Sequence, residues 1–311
     1  MPSSVSSGSR TSWPRLNYAD WADSCATLHL WTQVVGKIRL RLTPMVNHWW
    51  NATLYVTARG LTTSAMPWQG GTLQIDFDFI DHQLILRLSD GRVERMPLAP
   101  RSVADFYDEL MRRLGSLGVD VRIWTMPVEI PDAIAFDADH THKSYDANAA
   151  HLFWQQLVQV HRVFSIFRAR YVGKSSPSHF FWGSFDLAVT RFSGRTAPPM
   201  QRTAPNLALW AMQEAYSHEV SSAGFWPGNG GYGKAAFYSY AYPEPAGFAQ
   251  AAVKGAAYDS ALGEFVLPYD AVADSVSPDE TLLDFLQATY EAAAGNGKWD
   301  RPALERGAPS R

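Results

Sequence analysis

Apolar and polar side chains alternate along four stretches of the first half of the chain, residues 38–42, 53–57, 73–79 and 84–88. A period of two puts every second side chain on one face, so each stretch predicts a half-buried β-strand. Asp90-Gly91, just behind the fourth, marks a hairpin turn. The period then changes. Val103, Phe106, Tyr107, Leu110 and Leu114 fall on one helical face, with Ser102 placed as the N-cap and Gly115 or Gly118 as the stop.

From Pro127 to Lys143 the pattern lapses into a segment with two prolines and several acids, a candidate boundary. Beyond it Phe153, Leu157, Val160, Phe164 and Phe167 recur at steps of three and four and predict a long amphipathic helix over 146–171. Strands are predicted over 180–192, 235–242 and 264–267, and a helix over 282–293 closes the chain. Runs of strands bracketed by helices, without regular alternation of the two, define an α+β fold with antiparallel sheet and flanking helices. The expected layout is a disordered tail (1–18), a first α+β half (19–135), a second α+β half (136–300) and a flexible tail (301–311).

The halves share an outline and short echoes. Gly36-Lys37, Pro44 and Asn47-His48-Trp49-Trp50 run parallel to Gly173-Lys174, Pro177 and Ser178-His179-Phe180-Phe181. Pro100 to Asp105 is echoed in Pro268 to Asp274. A duplication would relate the halves by a pseudo-twofold, make His48 and His179 equivalent, and leave a cleft between them for a ligand. Chance matches in an aromatic-rich chain are the competing reading, because the spacings differ.

Composition narrows the classes. With 311 residues, 46% apolar and 18% charged, the chain has ample material for a core. No run of about 18 uncharged apolar residues exists to cross a membrane. A formal charge of −3 with no Lys/Arg run offers no basic field for nucleic acid. The Ser-rich start has no apolar signal core, so a cytoplasmic location is expected, and the lone Cys25 reads as a buried thiol. No Gly-x-Ser-x-Gly elbow, His-Glu-x-x-His helix or Cys-x-x-Cys pair is present.

Asp81-His82 at a strand end, joined by His48 and His179, gives a candidate divalent-metal set with open positions for substrate. The same His48, His179 and Asp81 are candidate acid–base groups. Strand-end and turn capping is the plain alternative. Asp139-His140-Thr141-His142 resembles a metal loop or a solvated turn. Arg191 and Arg195, with Lys174, form a candidate clamp for an anionic substrate, against which stand internal ion pairs to Asp186 or Glu219. Trp49, Trp182 and Trp226 are candidate substrate walls, and the aromatics of Gly224–Gly228 and Phe237–Pro245 suit either a cavity for a planar or apolar ligand or core packing. Gly228 to Lys234 has the spacing of a P-loop but the wrong context, with Ala235 where Ser or Thr would hold magnesium; a mobile loop over a pocket is the better expectation.

Asn47-His48-Trp49-Trp50, Phe77-Asp78-Phe79-Ile80-Asp81-His82, Gly173 through Ala188, and Arg191 to Arg195 together resemble a widespread bacterial family of unknown function. The resemblance runs from about Trp21 to Arg301. It implies an intact bacterial protein and carries no established reaction. Two functional expectations follow from the residues. One is an enzyme acting on a small anionic molecule in a cleft between the halves, with a divalent metal as candidate cofactor. The other is a noncatalytic module binding a small ligand in an aromatic pocket.

Overall fold

The computed structural model describes residues 13–307. A long helix, α1 (Tyr18–Leu42), opens the fold and is followed by β1 (Tyr55–Val56), β2 (Gly60–Thr62), β3 (Met66–Trp68), β4 (Gly71–Asp78), β5 (Gln83–Leu88) and β6 (Val93–Pro97). These strands form one antiparallel sheet in the order β1-β2-β4-β5-β6, with β3 also paired to β4. Helix α2 (Val103–Ser116) follows, its first turn capped by Ser102, whose hydroxyl accepts from the Asp105 amide. Helix α3 (Ala147–Ala169) begins the second half. A second antiparallel sheet comes next, with β7 (His179–Phe181), β8 (Asp186–Thr196), β9 (His218–Trp226), β10 (Ala236–Tyr242), β11 (Ala257–Asp259) and β12 (Glu264–Pro268) in the order β7-β8-β9-β10-β12-β11. Short α4 (Leu209–Ala215) lies between β8 and β9; α5 (Tyr269–Ala273), α6 (Pro278–Asn296) and α7 (Arg301–Leu304) end the fold. The fold is thus α+β, with two antiparallel sheets flanked by helices. No helix among the described residues is long and apolar enough to cross a membrane.

The two sheets meet edge to edge. Leu54, beside β1, exchanges two backbone hydrogen bonds with Phe180 of β7, at 2.9 and 2.7 Å. One continuous apolar cluster runs through both halves, so the segment 127–143 is no free linker. Phe136 is fully buried, and the Asp139 and His142 carbonyls accept from the first amides of α2. The proposed repeat is not matched by local structure. His48 stands in a 3-10 turn with φ of 58°, whereas His179 lies on β7, and the partner of Phe180 across the sheet junction is Leu54 rather than a member of the Asn47–Trp50 motif.

Several predicted elements need correction. Residues 38–42 belong to α1 and are not a strand. Nearly the whole middle of this helix is buried, so it lacks the one-sided stripe that identifies a helix, and Ile38-Arg39-Leu40-Arg41-Leu42 mimics a strand. The predicted strand over 180–192 is two strands, β7 and β8, broken by a turn in which Phe185 has φ of 63°. Residues 13–17 of the expected tail are anchored: the Trp13 indole donates to Asp279, and the Pro14 carbonyl accepts from Gln156 and Tyr269. Residues 1–12 lie outside the described residues. At the other end Glu305 bridges to Tyr171 and accepts from Tyr290, so residues 301–307 are also part of the fold, and residues 308–311 lie outside the described residues.

Candidate functional site

Strand parity builds the site. On β8 the side chains of Asp186, Ala188, Thr190 and Phe192 share one face, and Leu187, Val189 and Arg191 share the other. Helices α3 and α6 cover the second face. The first face opens onto a cavity of about 610 Å3, continued by His179 and Phe181 on β7, Val220 and Ser222 on β9, and Tyr238 and Tyr240 on β10. The opposite wall comes from Lys37, Leu40 and Arg41 of α1, from His48, Trp49, Trp50 and Ala52, and from Arg122, Ile123, Trp124, Val128 and Glu129. Helix α4 adds Trp210, Ala211 and Met212. Both halves of the chain therefore line one cavity. Trp124 and Trp210, 60% and 64% exposed, flank its opening beside the exposed Arg41 and Arg122.

Three glycines make room for three of the lining side chains. A Cβ on Gly224 would overlap the phenol of Tyr238, which crosses that gap to donate its hydroxyl proton to Asp186. The register agrees, since Gly224 stands opposite both Ala188 and Tyr238. A Cβ on Gly36 would overlap the indole of Trp182, and one on Gly183 the carboxylate of Glu129. Glu129 is held from three directions. Gln33 of α1 both donates to the Val128 carbonyl and accepts from its amide, at 2.9 Å each. The Glu129 amide donates to the Pro205 carbonyl at 2.8 Å, and Ser184 donates to the carboxylate at 2.7 Å.

The inner end is acidic. Burial pushes the Asp186 carboxyl up to about 7, the nearby Glu129 raises it further, and the Tyr238 hydrogen bond opposes the shift. Burial raises Glu129 too, against its Ser184 hydrogen bond. Glu264 of β12, outside the cavity lining, is lifted to about 7 by burial and by Asp186. Tyr240, in hydrogen-bond contact with Tyr216 at 2.9 Å, is pushed to about 12. Burial lowers Lys37 to about 8; its ammonium donates to the carbonyls of Trp124 and Met126.

The sequence candidates are scattered by this geometry. His48 lines the cavity, where Nδ1 faces the Ala215 carbonyl at 3.0 Å and therefore carries the proton, leaving Nε2 to accept from Lys174 at 2.6 Å. Burial, then the Lys174 charge, lowers its pKa. His179 also lines the cavity but is fully buried beside Thr53, and burial lowers it to about 3. Asp81 and His82 lie elsewhere: Asp81 pairs with Arg59 at 2.7 Å, and His82 contacts the Tyr145 hydroxyl at 2.8 Å. Among the described residues no group of three or more His, Cys, Asp or Glu is arranged to hold a metal ion, so the metal set His48, His82, His179 and Asp81 does not assemble. Asp81, separated from both histidines, is not their catalytic partner.

Arg191 and Arg195 are not an anion clamp. Arg191 is 1% exposed on the helix-covered face, its guanidinium 3.5 Å from the Phe167 ring centroid and donating to the Phe167 carbonyl. Arg195 pairs with Glu219 at 2.6 Å and donates to the carbonyls at the end of α6, the internal use weighed for it. Trp49 and Trp182 do line the cavity, donating to the carbonyls of Ala211 and Ala52. Trp226 stands behind it against Tyr238. His142 pairs with Asp139 at 2.7 Å in a turn beside α2. Gly228 to Lys234 is the β9–β10 hairpin, contributes no lining residue, and leads into a strand rather than the helix of a P-loop. Glu129, Trp124 and Trp210 were not among the candidates read from the sequence.

These features define an α+β protein of two edge-joined antiparallel sheets with an aromatic, inwardly acidic cavity on one of them. The chain belongs to the family of unknown function DUF5996, whose model matches residues 13–306. No curated protein and no solved structure matches it.

Proposed function

We propose that the protein binds a small molecule with a planar or apolar body in this cavity, with Asp186, Tyr238 and Glu129 as the polar contacts at the inner end. The observation that carries the reading is the enclosure of about 610 Å3 by aromatic side chains around a few buried polar groups, the usual make-up of a small-molecule site. A ligand seated there stabilises the fold by mass action. Thermal-shift titration with neutral indoles and naphthols tests this. Melting temperature should rise with ligand concentration, and Ala188→Phe, which fills the cavity from β8, should abolish the rise. A rise that survives Ala188→Phe, or no response to any planar probe, overturns the reading.

A second reading is catalytic. Burial lifts the Asp186 carboxyl to about 7 against a tyrosine hydroxyl, which suits a carboxyl that gives and takes a proton. Asp186→Asn should then lose turnover while neutral planar ligands still bind. The check is a small-metabolite mixture incubated with each protein: a compound consumed by the unaltered protein and spared by Asp186→Asn supports catalysis, and unchanged mixtures in both leave binding alone.

A further inference from the structure

We propose that the inner end of the cavity takes the cationic head of an organic amine whose aromatic or apolar body fills the remaining volume. The inference rests on the cavity being the ligand site argued above. Asp186, 6% exposed, and Glu129 both face this space, and among the described residues neither is paired with a cationic side chain. The fold supplies them with one tyrosine and one serine hydroxyl. A desolvated carboxylate without a counter-charge is costly, and a bound cation removes that cost.

The cation must come from outside. Lys37, the buried lysine of the cavity wall, is turned to the Trp124 and Met126 carbonyls and lies 4.7 Å from the Trp124 ring centroid. Arg41 and Arg122 stay exposed at the opening. Beside the carboxylates, Tyr238 and Tyr240 present nearly parallel rings, 13° apart in plane with centroids 6.1 Å apart. An aromatic wall next to carboxylates is a setting that favours an organic ammonium. A bare metal ion would need a denser donor set than the described residues provide. An anionic head at this end would meet like charge.

Tryptamine, 3-propylindole and indole-3-propionate share a ring system and differ in head charge, so calorimetric titration of the three on the full chain isolates the head. Tryptamine should bind about tenfold or more tighter than 3-propylindole, with indole-3-propionate weakest. Asp186→Asn should bring tryptamine down to the affinity of 3-propylindole while leaving the latter unchanged. Glu129→Gln, altering a half-buried loop residue, gives the same test should Asp186→Asn fail to fold. Equal binding of tryptamine and 3-propylindole, or preference for the carboxylate, overturns the cationic head and leaves the cavity as a ligand site. Absence of binding by all three to folded protein overturns both.

Discussion

Arg191 and Asp186 lie five residues apart on one strand, and both are buried charges, yet they occupy opposite circumstances. An odd separation puts them on opposite faces of β8. Arg191 is enclosed by the rings of Phe167, Tyr290 and Tyr171, at 3.5, 4.4 and 4.9 Å, and by the Phe167 carbonyl. Burial lowers its pKa to about 10, within a range where it stays charged at neutral pH. Asp186 faces open volume, has acids for neighbours, and is met by one hydroxyl. A charge closed in on every side is part of the packing. A charge left beside an empty volume is available to a ligand.

The largest effect should come from breaking the enclosed side. Arg191→Ala takes one of two donors from the Phe167 carbonyl, leaving it the Arg170 amide, and hollows the space between three rings, a loss of about 3 kcal/mol or more in urea unfolding. Affinity for cavity ligands, measured where the variant remains folded, should hardly change. Arg195→Ala, at a half-exposed ion pair, should cost under about 1 kcal/mol. Equal costs for the two would contradict the enclosure of Arg191.

Next comes the open face. Gly224→Val drives a branched side chain into the Tyr238 phenol, with a cost of about 2 kcal/mol from overpacking. Here ligand affinity should fall as well, because Tyr238 can no longer reach Asp186. A variant that is destabilised but binds normally would separate Tyr238 from the site.

The same strand shows what was legible in the sequence. The α+β class, α2, α3, α6 and most of β4 and β5 follow from periodicity, because each has one buried and one less buried side; β10 and β12 were also expected, although both faces of each are buried over most of its length. Strand β9 was missed: Ser221, Ser222, Ala223 and Gly224 carry little strand preference, and it is their smallness that opens the cavity. Trp49, Trp182, Tyr238 and Tyr240 were legible as aromatic wall candidates, and His48 and His179 do reach the cavity. The arginine clamp failed on parity, since the motif Thr190-Arg191-Phe192 places Thr190 and Phe192 toward the cavity and Arg191 away from it. Glu129 was hidden in a segment without pattern, positioned by Gln33, Ser184 and Pro205 from distant parts of the chain.

A smaller effect should appear in the pH dependence of stability. Asp186 and Glu264 start from ordinary values of 3.8 and 4.5 and are both raised to about 7 in the folded protein. The folded state therefore holds protons that the unfolded chain releases, so their contribution is fully present below about pH 4 and is lost as pH rises through 7. Asp186→Asn should flatten this decline, gaining on the order of 1 kcal/mol relative to the unaltered protein at neutral pH. Denaturant midpoints measured from pH 4 to 8 would show it. Parallel profiles for the two proteins would place the Asp186 carboxyl in an ordinary environment.

The smallest effect on stability should come at the opening, where the contrast is between tryptophans. Trp182 is 7% exposed and donates to the Ala52 carbonyl, whereas Trp210 is 64% exposed and packs on Trp49 with ring centroids 5.4 Å apart. Trp182→Ala removes buried ring and hydrogen bond together. Trp210→Ala removes surface, so its unfolding free energy should stay within about 0.5 kcal/mol of the starting protein. Its consequence should be kinetic: with one flank of the opening cut back, a bound ligand should leave faster while the inner contacts at Asp186 and Glu129 persist. Stopped-flow displacement reads this directly. Unaltered dissociation in Trp210→Ala, alongside lost binding in Trp182→Ala, would mean that ligands pass by the Trp124 flank instead.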